Sequence, residues 1–344
     1  MKEEQGVNMH TITAFNINDA FYKGLDLFGS DINYIEYDSR NGKVWELKDP
    51  ILIKYQYPTV RVLADSVRDC NPFFHLAESL WMLAGRGDLS SMEHFVPRMR
   101  EFSDDGISLW GAYGYRWRWM FGKDQLQVII NMLKRNPDDR RCVLQMWGTE
   151  QDLNHLDGKG KDVPCNTQIY FKIRDGALRM TVTNRSNDLI WGCFGANMVH
   201  FSVLHEYMAA MIGVKVGAYY HFTDNLHIYI DYPIWKDKVS TINPITSLTR
   251  FNDTKVAQLL HEQTIPLVKD KTTFDRELKF VMDGDYRNDY KFNNPFLERV
   301  AIPIIKSWNL YKSGEKQNAL EMAETIIQKD WREACVLYIK RRDK

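Results

Sequence analysis

Hydrophobic and polar residues alternate strictly along two neighbouring segments in the middle of the chain, residues 168–173 and 178–183. A period of two is typical of β-strands, and the intervening Asp175–Gly176 pair favours a tight hairpin turn. Cys165 stands just before the first predicted strand, and Arg185–Ser186 ends the second. Because a hairpin brings the start of its first strand beside the end of its second, we expect Cys165 and Arg185 at the same end of the sheet.

Apolar residues at helical spacing, bounded by Gly, Pro and Asn, predict most of the other elements. Ahead of residue 231 we predict a first helix over 10–29, two strands over 34–47, helices over 71–85 and 123–136, a buried strand over 140–147, a helix over 197–213 and a strand over 218–230. The later predicted elements are all helices, over 253–265, 272–284, 294–314 and 316–342. The pattern therefore predicts an α/β (α+β) body over residues 1–235 with a helical C-terminal region, residues 236–344, packed on it.

The composition narrows the classes of function. Lys and Arg together number 45, as do Asp and Glu, so no net charge attracts nucleic acid or an anionic membrane. No apolar run is long enough to span a bilayer, and the polar N-terminus lacks the apolar core of a signal peptide. The scattered cysteines argue against a disulfide framework or a zinc site and favour the cytoplasm: Cys70, Cys142, Cys165, Cys193 and Cys335.

Two interpretations of Cys165 are open from the residues alone. A single cysteine is commonly a small buried hydrophobe, whereas nearby positive charge turns a thiol into a nucleophile. A thiol protease would need a histidine base such as His227, but no protease signature surrounds Cys165. Arg140–Arg141 and Arg185–Ser186 are either surface ion pairs or donors for a phosphate monoester, whose oxygens a guanidinium fork matches.

Other polar groups also have alternative interpretations. The aromatic and arginine residues of 110–122 would suit stacking of single-stranded nucleic acid, the wall of a cleft, or plain core packing, and the zero net charge disfavours the first. Glu78 lies in an apolar helix, either on its solvent face or buried for acid–base work. His227 and Tyr229 share one face of a strand and would hold a sugar hydroxyl or serve as polar core groups.

Six short motifs, in this order, resemble those of the thymidylate synthase superfamily. They span about Tyr37 to Tyr229: AESLWMLAGRGD, GAYGYRW, NPDDRR, PCN, NRSND followed by WG, and DNLHIY. The resemblance implies a thymidylate-synthase-like mixed sheet layered with helices. It also implies transfer of a one-carbon unit from 5,10-methylenetetrahydrofolate to C5 of a pyrimidine deoxynucleotide monophosphate. The residues after about 230 match nothing in these motifs.

The resemblance further implies a role for each matching residue. Cys165 would add to C6 of the base, Glu78 would transfer protons through water, and Tyr113 would help to remove the C5 proton. The nucleotide would be held by Arg40, Arg140, Arg141, Arg185, Ser186, Asn197, His227 and Tyr229, and the folate by Asp188, Trp81 and Gly192. In the family the arginine pair comes from the partner subunit, which implies a homodimer.

Departures from the synthase pattern favour a hydroxymethylase. Asn166 replaces the histidine that follows the nucleophile, and residues 97–110 contain no clear counterpart of the Trp-rich stretch that shields the methylene intermediate from water in the synthases. Asn197 favours uracil, although it lies one residue further from Asp188 than in the synthases. We therefore expect hydroxymethylation, with dUMP ahead of dCMP. The alternatives are thymidylate synthase and, more remotely, a non-catalytic relative that binds RNA or a partner.

Overall fold

The computed structural model of the protein describes residues 9–63, 68–158, 160–230, 258, 260–285 and 290–342. The strands in these ranges are β1 (His10–Ala14), β2 (Tyr34–Ser39), β3 (Gly42–Leu47), β4 (Ile51–Tyr55), β5 (Val143–Gln145), β6 (Asn166–Arg174), β7 (Ala177–Asp188) and β8 (Lys215–Tyr229). The α-helices are α1 (Ile17–Asp26), α2 (Pro72–Leu83), α3 (Leu89–Glu93), α4 (Tyr113–Tyr115), α5 (Gln125–Arg135), α6 (Thr149–Asp157), α7 (Asn197–Ile212), α8 (Phe274–Asp283), α9 (Ile302–Lys312), α10 (Lys316–Glu324) and α11 (Lys329–Arg341). A 3₁₀ segment covers Pro97–Phe102, and π-helical turns cover Arg116–Met120, Leu189–Ala196 and Leu297–Ala301.

Within the described ranges the strands form one mixed sheet with the order β1–β4–β8–β7–β6–β5, and β2 joins it through β3. The long strands β7 and β8 are parallel, and α7 makes the crossover that a parallel pair requires. Strand β6 pairs antiparallel with β7, which confirms the predicted hairpin. The register sets Asp188 beside His227 at the end of the two central strands.

The sheet has two different faces. On one face a row across five strands is buried under the helices: Ile53, His221, Val182, Ile169 and Leu144. On the other face the neighbouring row is only partly buried: Leu52, Phe222, Thr183, Gln168 and Gln145. The main hydrophobic core therefore lies on one side of the sheet, and the described residues leave the other side open.

Several predicted elements differ from the structure. Residues 10–14 form β1, paired in parallel with β4, and the helix begins only at Ile17. The side chain of Asn16 caps it by accepting from the backbone N–H groups of Asn18 and Asp19. The sequence analysis missed β4 altogether, and the strand predicted over 140–147 is reduced to β5. The single helix predicted over 316–342 is two helices, α10 and α11. Of the helix predicted over 253–265, residues 253–257 and 259 lie outside the described residues, and residues 258 and 260–262 are helical.

The C-terminal helices pack on the same core as the sheet. The ring of Phe73 in α2 lies 5.3 Å from that of Trp308 in α9 and 5.6 Å from that of Tyr338 in α11. Glu206 of α7 forms a buried ion pair with Arg61 and accepts a hydrogen bond from the backbone N–H of Leu267 at 2.8 Å. The predicted boundary near residue 235 lies outside the described residues, so the division at that point stays a prediction.

Candidate active site

Cys165 lies where the register of β6 changes. Asn166 pairs with Asn184, but Gln168 pairs with Thr183, so the strand carries an irregularity directly after the cysteine. Such bulges change the direction of side chains at the edges of sheets and next to active sites. The carbonyl oxygen of Cys165 accepts from the backbone N–H of Arg185 at 2.9 Å, and Arg185 Nη2 lies 3.9 Å from Cys165 Sγ. The prediction that the hairpin brings these two residues together is confirmed.

The thiol of Cys165 differs from the other cysteines in exposure. It is partly exposed, whereas the other four are buried. Burial raises the pKa of the Cys165 thiol, and the Arg185 guanidinium opposes that shift by favouring the thiolate. Arg40 acts in the same direction as Arg185. The partial exposure of the Cys165 thiol and the guanidinium group beside it fit a nucleophile better than a core residue.

Two arginines from distant parts of the chain meet at the loop before Cys165. Arg185 donates through Nε to the carbonyl oxygen of Pro164 and through Nη2 to that of Val163, both at 3.1 Å. Arg40, from the turn between β2 and β3, donates to the carbonyl oxygen of Lys161 at 3.5 Å. This gives the loop two cationic groups next to the thiol, a suitable setting for an anion.

Helices α2 and α4 place the proposed acid–base groups. Gly114 lies so close to α2 that a Cβ there would collide with the carbonyl oxygen of Met82, so only glycine permits this packing. Tyr113, the residue before it, accepts at its hydroxyl from the backbone N–H of Asn166 at 3.4 Å. Burial, and then the nearby Cys165, raise the pKa of the Tyr113 phenol. Tyr113 therefore stays neutral beside the nucleophile.

Glu78 faces a cleft while remaining 8% exposed. Its Oε2 lies 2.6 Å from Nε2 of His200, which is itself 3% exposed on α7. Burial lowers the pKa of His75, one turn before Glu78, well below its usual value. The sequence analysis did not identify His200. Its signal was a histidine in a mostly apolar helix, three residues after Asn197.

The cleft beside Glu78 has a volume of about 870 Å³. Five of the predicted site residues line it: Arg40, Glu78, Asp188, Gly192 and Tyr229. Aromatic and aliphatic side chains form much of the rest, with Phe74, Val96, Met99, Phe102 and Trp191. A volume of this size with apolar walls and a few convergent polar groups is typical of a small-molecule site.

Asp188 and His227 share the end of β7 and β8. Burial raises the pKa of Asp188, and His227 is among the groups that oppose the shift. Burial lowers the pKa of His227, whose Nδ1 lies 2.8 Å from Asn225 Oδ1. The His227 and Tyr229 rings meet edge to face at 5.2 Å. The structure thus brings Asp188, a predicted folate-binding residue, and the predicted sugar-binding residues His227 and Tyr229 to the same end of the two central strands.

The segment between Asp188 and Asn197, where the resemblance implies one additional residue, contains a π-helical turn. Residues Leu189–Ala196 form this turn, with non-helical backbone angles at Phe194 and Gly195. A π-turn takes more residues than an α-turn, so it accommodates the extra position. Asn197 then begins α7, where its Nδ2 donates to Asn187 Oδ1 at 3.0 Å.

Three predicted residues lie away from this cluster. Arg140 and Arg141 are exposed, and Arg141 pairs with Asp139 at 2.7 Å. Phe171 donates its backbone N–H to the carbonyl oxygen of Cys142, so the arginine pair lies beside the far half of β6. Trp81 is 1% exposed, and its indole donates to Asp88 rather than lining the cleft.

The aromatic and arginine side chains of residues 110–122 are divided between the core and the surface: Arg116, Trp117 and Arg118 are buried, whereas Tyr115 and Trp119 are exposed. Arg116 is fully buried and forms a two-pronged ion pair with the equally buried Asp152, at 2.8 and 2.7 Å. Trp117 is also fully buried, and Arg118 is 7% exposed. Core packing is therefore the interpretation that the structure supports for Arg116, Trp117 and Arg118, and these buried arginines do not form a surface for nucleic acid.

Comparison with known proteins identifies the family. The sequence model of the thymidylate synthase family matches residues 66–343. The deoxyuridylate hydroxymethyltransferase of Pseudomonas phage M6 is 42% identical over 346 residues, which cover 97% of this chain and 95% of the relative. A protein of the same name from Bacillus phage SP01 is 40% identical over 202 residues, covering 56% of this chain and 52% of the relative. A putative thymidylate synthase of Methanosarcina barkeri is 29% identical over 219 residues, 63% of this chain and 88% of that protein.

The chain belongs to the thymidylate synthase family and is an enzyme of that family. Enzymes of the family bind a nucleotide substrate and use a folate as one-carbon donor. The motifs of the sequence analysis ended at Tyr229, but the family match continues to residue 343 and so includes the C-terminal helices. In the described part of the chain, no helix combines the length and apolar character needed to cross a bilayer.

Proposed function

We propose that this enzyme transfers the one-carbon unit of 5,10-methylenetetrahydrofolate to C5 of dUMP and releases the 5-hydroxymethyl nucleotide. The observation that carries the proposal is the 42% identity to the deoxyuridylate hydroxymethyltransferase of Pseudomonas phage M6 across nearly the full length of both chains. dCMP is the second choice of substrate. The alternative product is the methylated nucleotide of a thymidylate synthase, the name of the Methanosarcina relative.

In the proposed mechanism the Cys165 thiolate begins the reaction. It adds to C6 of the pyrimidine, and the electron pair displaced from the C5–C6 bond makes C5 a nucleophile. The folate supplies the methylene carbon that C5 attacks, and it leaves as tetrahydrofolate. Loss of the C5 proton through water held near Tyr113 leaves an exocyclic methylene on the base. The Arg185 guanidinium, 3.9 Å from the sulfur, favours the thiolate that starts this sequence.

Glu78 and His200 act in the step that decides between the hydroxymethyl and the methyl nucleotide. The oxygen of a water bonds to the exocyclic methylene, and the water proton passes to the Glu78 carboxylate. The electron pair returns to the ring, the C5–C6 double bond re-forms, and Cys165 leaves as thiolate. His200, 2.6 Å from Glu78 Oε2, holds the carboxylate at the cleft for this transfer.

The remaining predicted residues bind the substrates in this proposal. Arg185, Ser186 and Arg40 hold the 5′-phosphate, because the two cations already flank the loop before Cys165. His227 and Tyr229 hold the 3′-hydroxyl, and Asn197 contacts the base. Asp188 and Gly192 border the folate in the cleft, whereas Trp81 lies buried in the same helix as Glu78 and does not line the cleft.

We also propose a homodimer in which Arg140 and Arg141 complete the phosphate site of the partner subunit. The backbone N–H of Phe171 donates to the carbonyl oxygen of Cys142, next to the arginine pair. The six residues of β-structure from Cys165 to Phe171 span about 20 Å. An arginine side chain does not cover that distance within one chain. The open face of the sheet, with its partly buried row from Leu52 to Gln145, provides a surface for a second copy.

The test is an assay of the purified protein with 5,10-methylenetetrahydrofolate and either dUMP or dCMP. Mass spectrometry of the nucleotide and absorbance of dihydrofolate report the product. We expect a hydroxymethyl nucleotide from dUMP and no dihydrofolate. A methylated nucleotide with equimolar dihydrofolate would replace the proposal by thymidylate synthase activity. The Cys165→Ala protein is the control for chemistry that does not use this site.

A further inference from the structure

Asn197 lies at the end of a buried chain of hydrogen bonds that runs into the sheet. Its Nδ2 donates to Asn187 Oδ1 at 3.0 Å. Asn187 Nδ2 lies 3.2 Å from His221 Nε2 and 3.3 Å from Thr223 Oγ1. His221 Nδ1 is 3.0 Å from the hydroxyl of Tyr219. His221, Thr223 and Tyr219 are fully buried and Asn187 is 2% exposed, so no solvent competes for these bonds.

The chain has a defined direction. Burial lowers the pKa of His221 to about 3, so the ring is neutral at physiological pH and has one donor and one acceptor nitrogen. Asn187 Nδ2 only donates, so His221 Nε2 accepts and Nδ1–H donates to Tyr219. Asn187 Oδ1 is then left to accept from Asn197. Turning the Asn197 amide over would set two carbonyl oxygens against each other in a buried place, which is costly.

Gly192 connects this pair of amides to the cleft. It lines the cleft, and a Cβ at this position would collide with Asn187 Oδ1 and lie 3.0 Å from Asn197 Nδ2. The amides therefore lie directly beneath the cleft wall. The backbone of Gly192 can lie this close to the two amides only because glycine has no Cβ.

We propose that Asn187 is a positioning residue that locks the amide of Asn197 in one orientation, so that the enzyme accepts one pyrimidine base and rejects the other. Uracil presents an N–H donor at N3 and an acceptor at O4, whereas cytosine presents an acceptor at N3 and a donor at N4. An amide that is free to turn over serves both bases, and a fixed amide serves one. This inference rests on the proposed function, under which the accepted base is uracil.

The test compares kcat/KM, and binding by titration calorimetry, for dUMP and dCMP. We expect Asn187→Ala to reduce the preference between the two nucleotides by about tenfold or more, since one buried hydrogen bond sets the amide. Asn187→Asp keeps an acceptor facing Asn197, with His221 changing its tautomer to donate, so it should retain the preference. His221→Phe removes the nearer of the two acceptors of Asn187 Nδ2 and leaves Thr223 Oγ1, so it should lower the preference by less than Asn187→Ala does. It gives a second test if Asn187→Ala does not fold.

Asn184→Ala is the matched control, because Asn184 is a buried asparagine of the same strand that bonds Asn166 instead of Asn197. A lower preference in Asn187→Ala and His221→Phe, unchanged in Asn184→Ala and Asn187→Asp, supports the lock. An unchanged preference in folded Asn187→Ala or His221→Phe overturns it. A wild-type enzyme that prefers dCMP contradicts the base in the proposed function, while the change in ratio still tests the lock.

Discussion

Mixing two inactive variants tests whether the phosphate site is shared between subunits. Arg141 and Cys165 lie about 20 Å apart along β6, so we expect each active site to combine Cys165 of one subunit with Arg141 of the other. Arg141→Ala should reduce kcat/KM about tenfold to a hundredfold, the cost of hydrogen bonds to a charged group. Cys165→Ala should have no turnover. A heterodimer of the two has one site with both residues intact and one with neither.

The expected recovery follows from the symmetry of the dimer. Equal amounts of the two variants, unfolded and refolded together, give heterodimers in about half of the dimers, so about a quarter of the wild-type activity should return. Different affinity tags allow the heterodimer to be isolated and assayed alone, at about half of the wild-type activity. Arg185→Ala mixed with Cys165→Ala is the control, because both residues belong to one site and no intact site can form. If the isolated Arg141→Ala heterodimer stays at the level of that control, the shared site is refuted.

Four further predictions concern the nucleophile and the core. Cys165→Ala should abolish turnover but still bind dUMP in titration calorimetry, and full activity would exclude the covalent step. Alkylation of Cys165 by iodoacetamide should continue to rise at pH values where a free thiol has levelled off, because burial raises its pKa and the thiol form persists below it. Arg185→Gln should slow alkylation at pH 7 about fivefold, since a unit charge about 4 Å away contributes about 1 kcal/mol in a water-like dielectric, and an unchanged rate would show that Arg185 does not act on the thiol. Asp152→Asn should lower the free energy of unfolding by about 3–5 kcal/mol in urea denaturation, because Arg116 is left buried without its carboxylate. Asp138→Asn, which breaks an exposed pair, should change it by less than about 1 kcal/mol, and equal effects of the two would contradict the estimate.

Elements with strong local signals could be predicted from the sequence. Helix α2 begins at Asn71–Pro72, where the Asn71 side chain accepts from the backbone N–H of Phe74, and the chain turns at Gly85 with φ of +72°. The β6–β7 hairpin has its Asp175–Gly176 turn, with positive φ at both residues. Strand β1 had no such signal. Its five residues are extended because they pair with β4, some 40 positions later, and a local pattern does not contain that pairing.

The candidate site was predictable where a motif and a local element coincide. The hairpin was enough to bring Cys165 to Arg185, and an order of motifs was enough to name Glu78 and Tyr113. His200 and Asn187 were missed because their partners come from other elements, the first from α2 and the second from β8 and α7. The roles proposed for them rest on contacts that no spacing along the chain reveals.

The side chains that line the cleft affect whether water or hydride reaches the exocyclic methylene. Along residues 96–110 the side chains at the cleft are Val96, Arg98, Met99, Glu101 and Phe102. Trp110, at the end of this segment, instead stacks on His155 at 4.3 Å and donates its indole N–H to Asp152. No indole from this segment therefore lines the cleft beside Glu78, in agreement with the sequence analysis, which found no counterpart of the tryptophan shield of the synthases here. A carboxylate at an open cleft wall keeps water within reach of the exocyclic methylene, and water then adds before hydride can. The resemblance implies that the tryptophans of the synthases keep water away from the methylene. Their absence from this part of the cleft wall therefore favours hydroxymethylation.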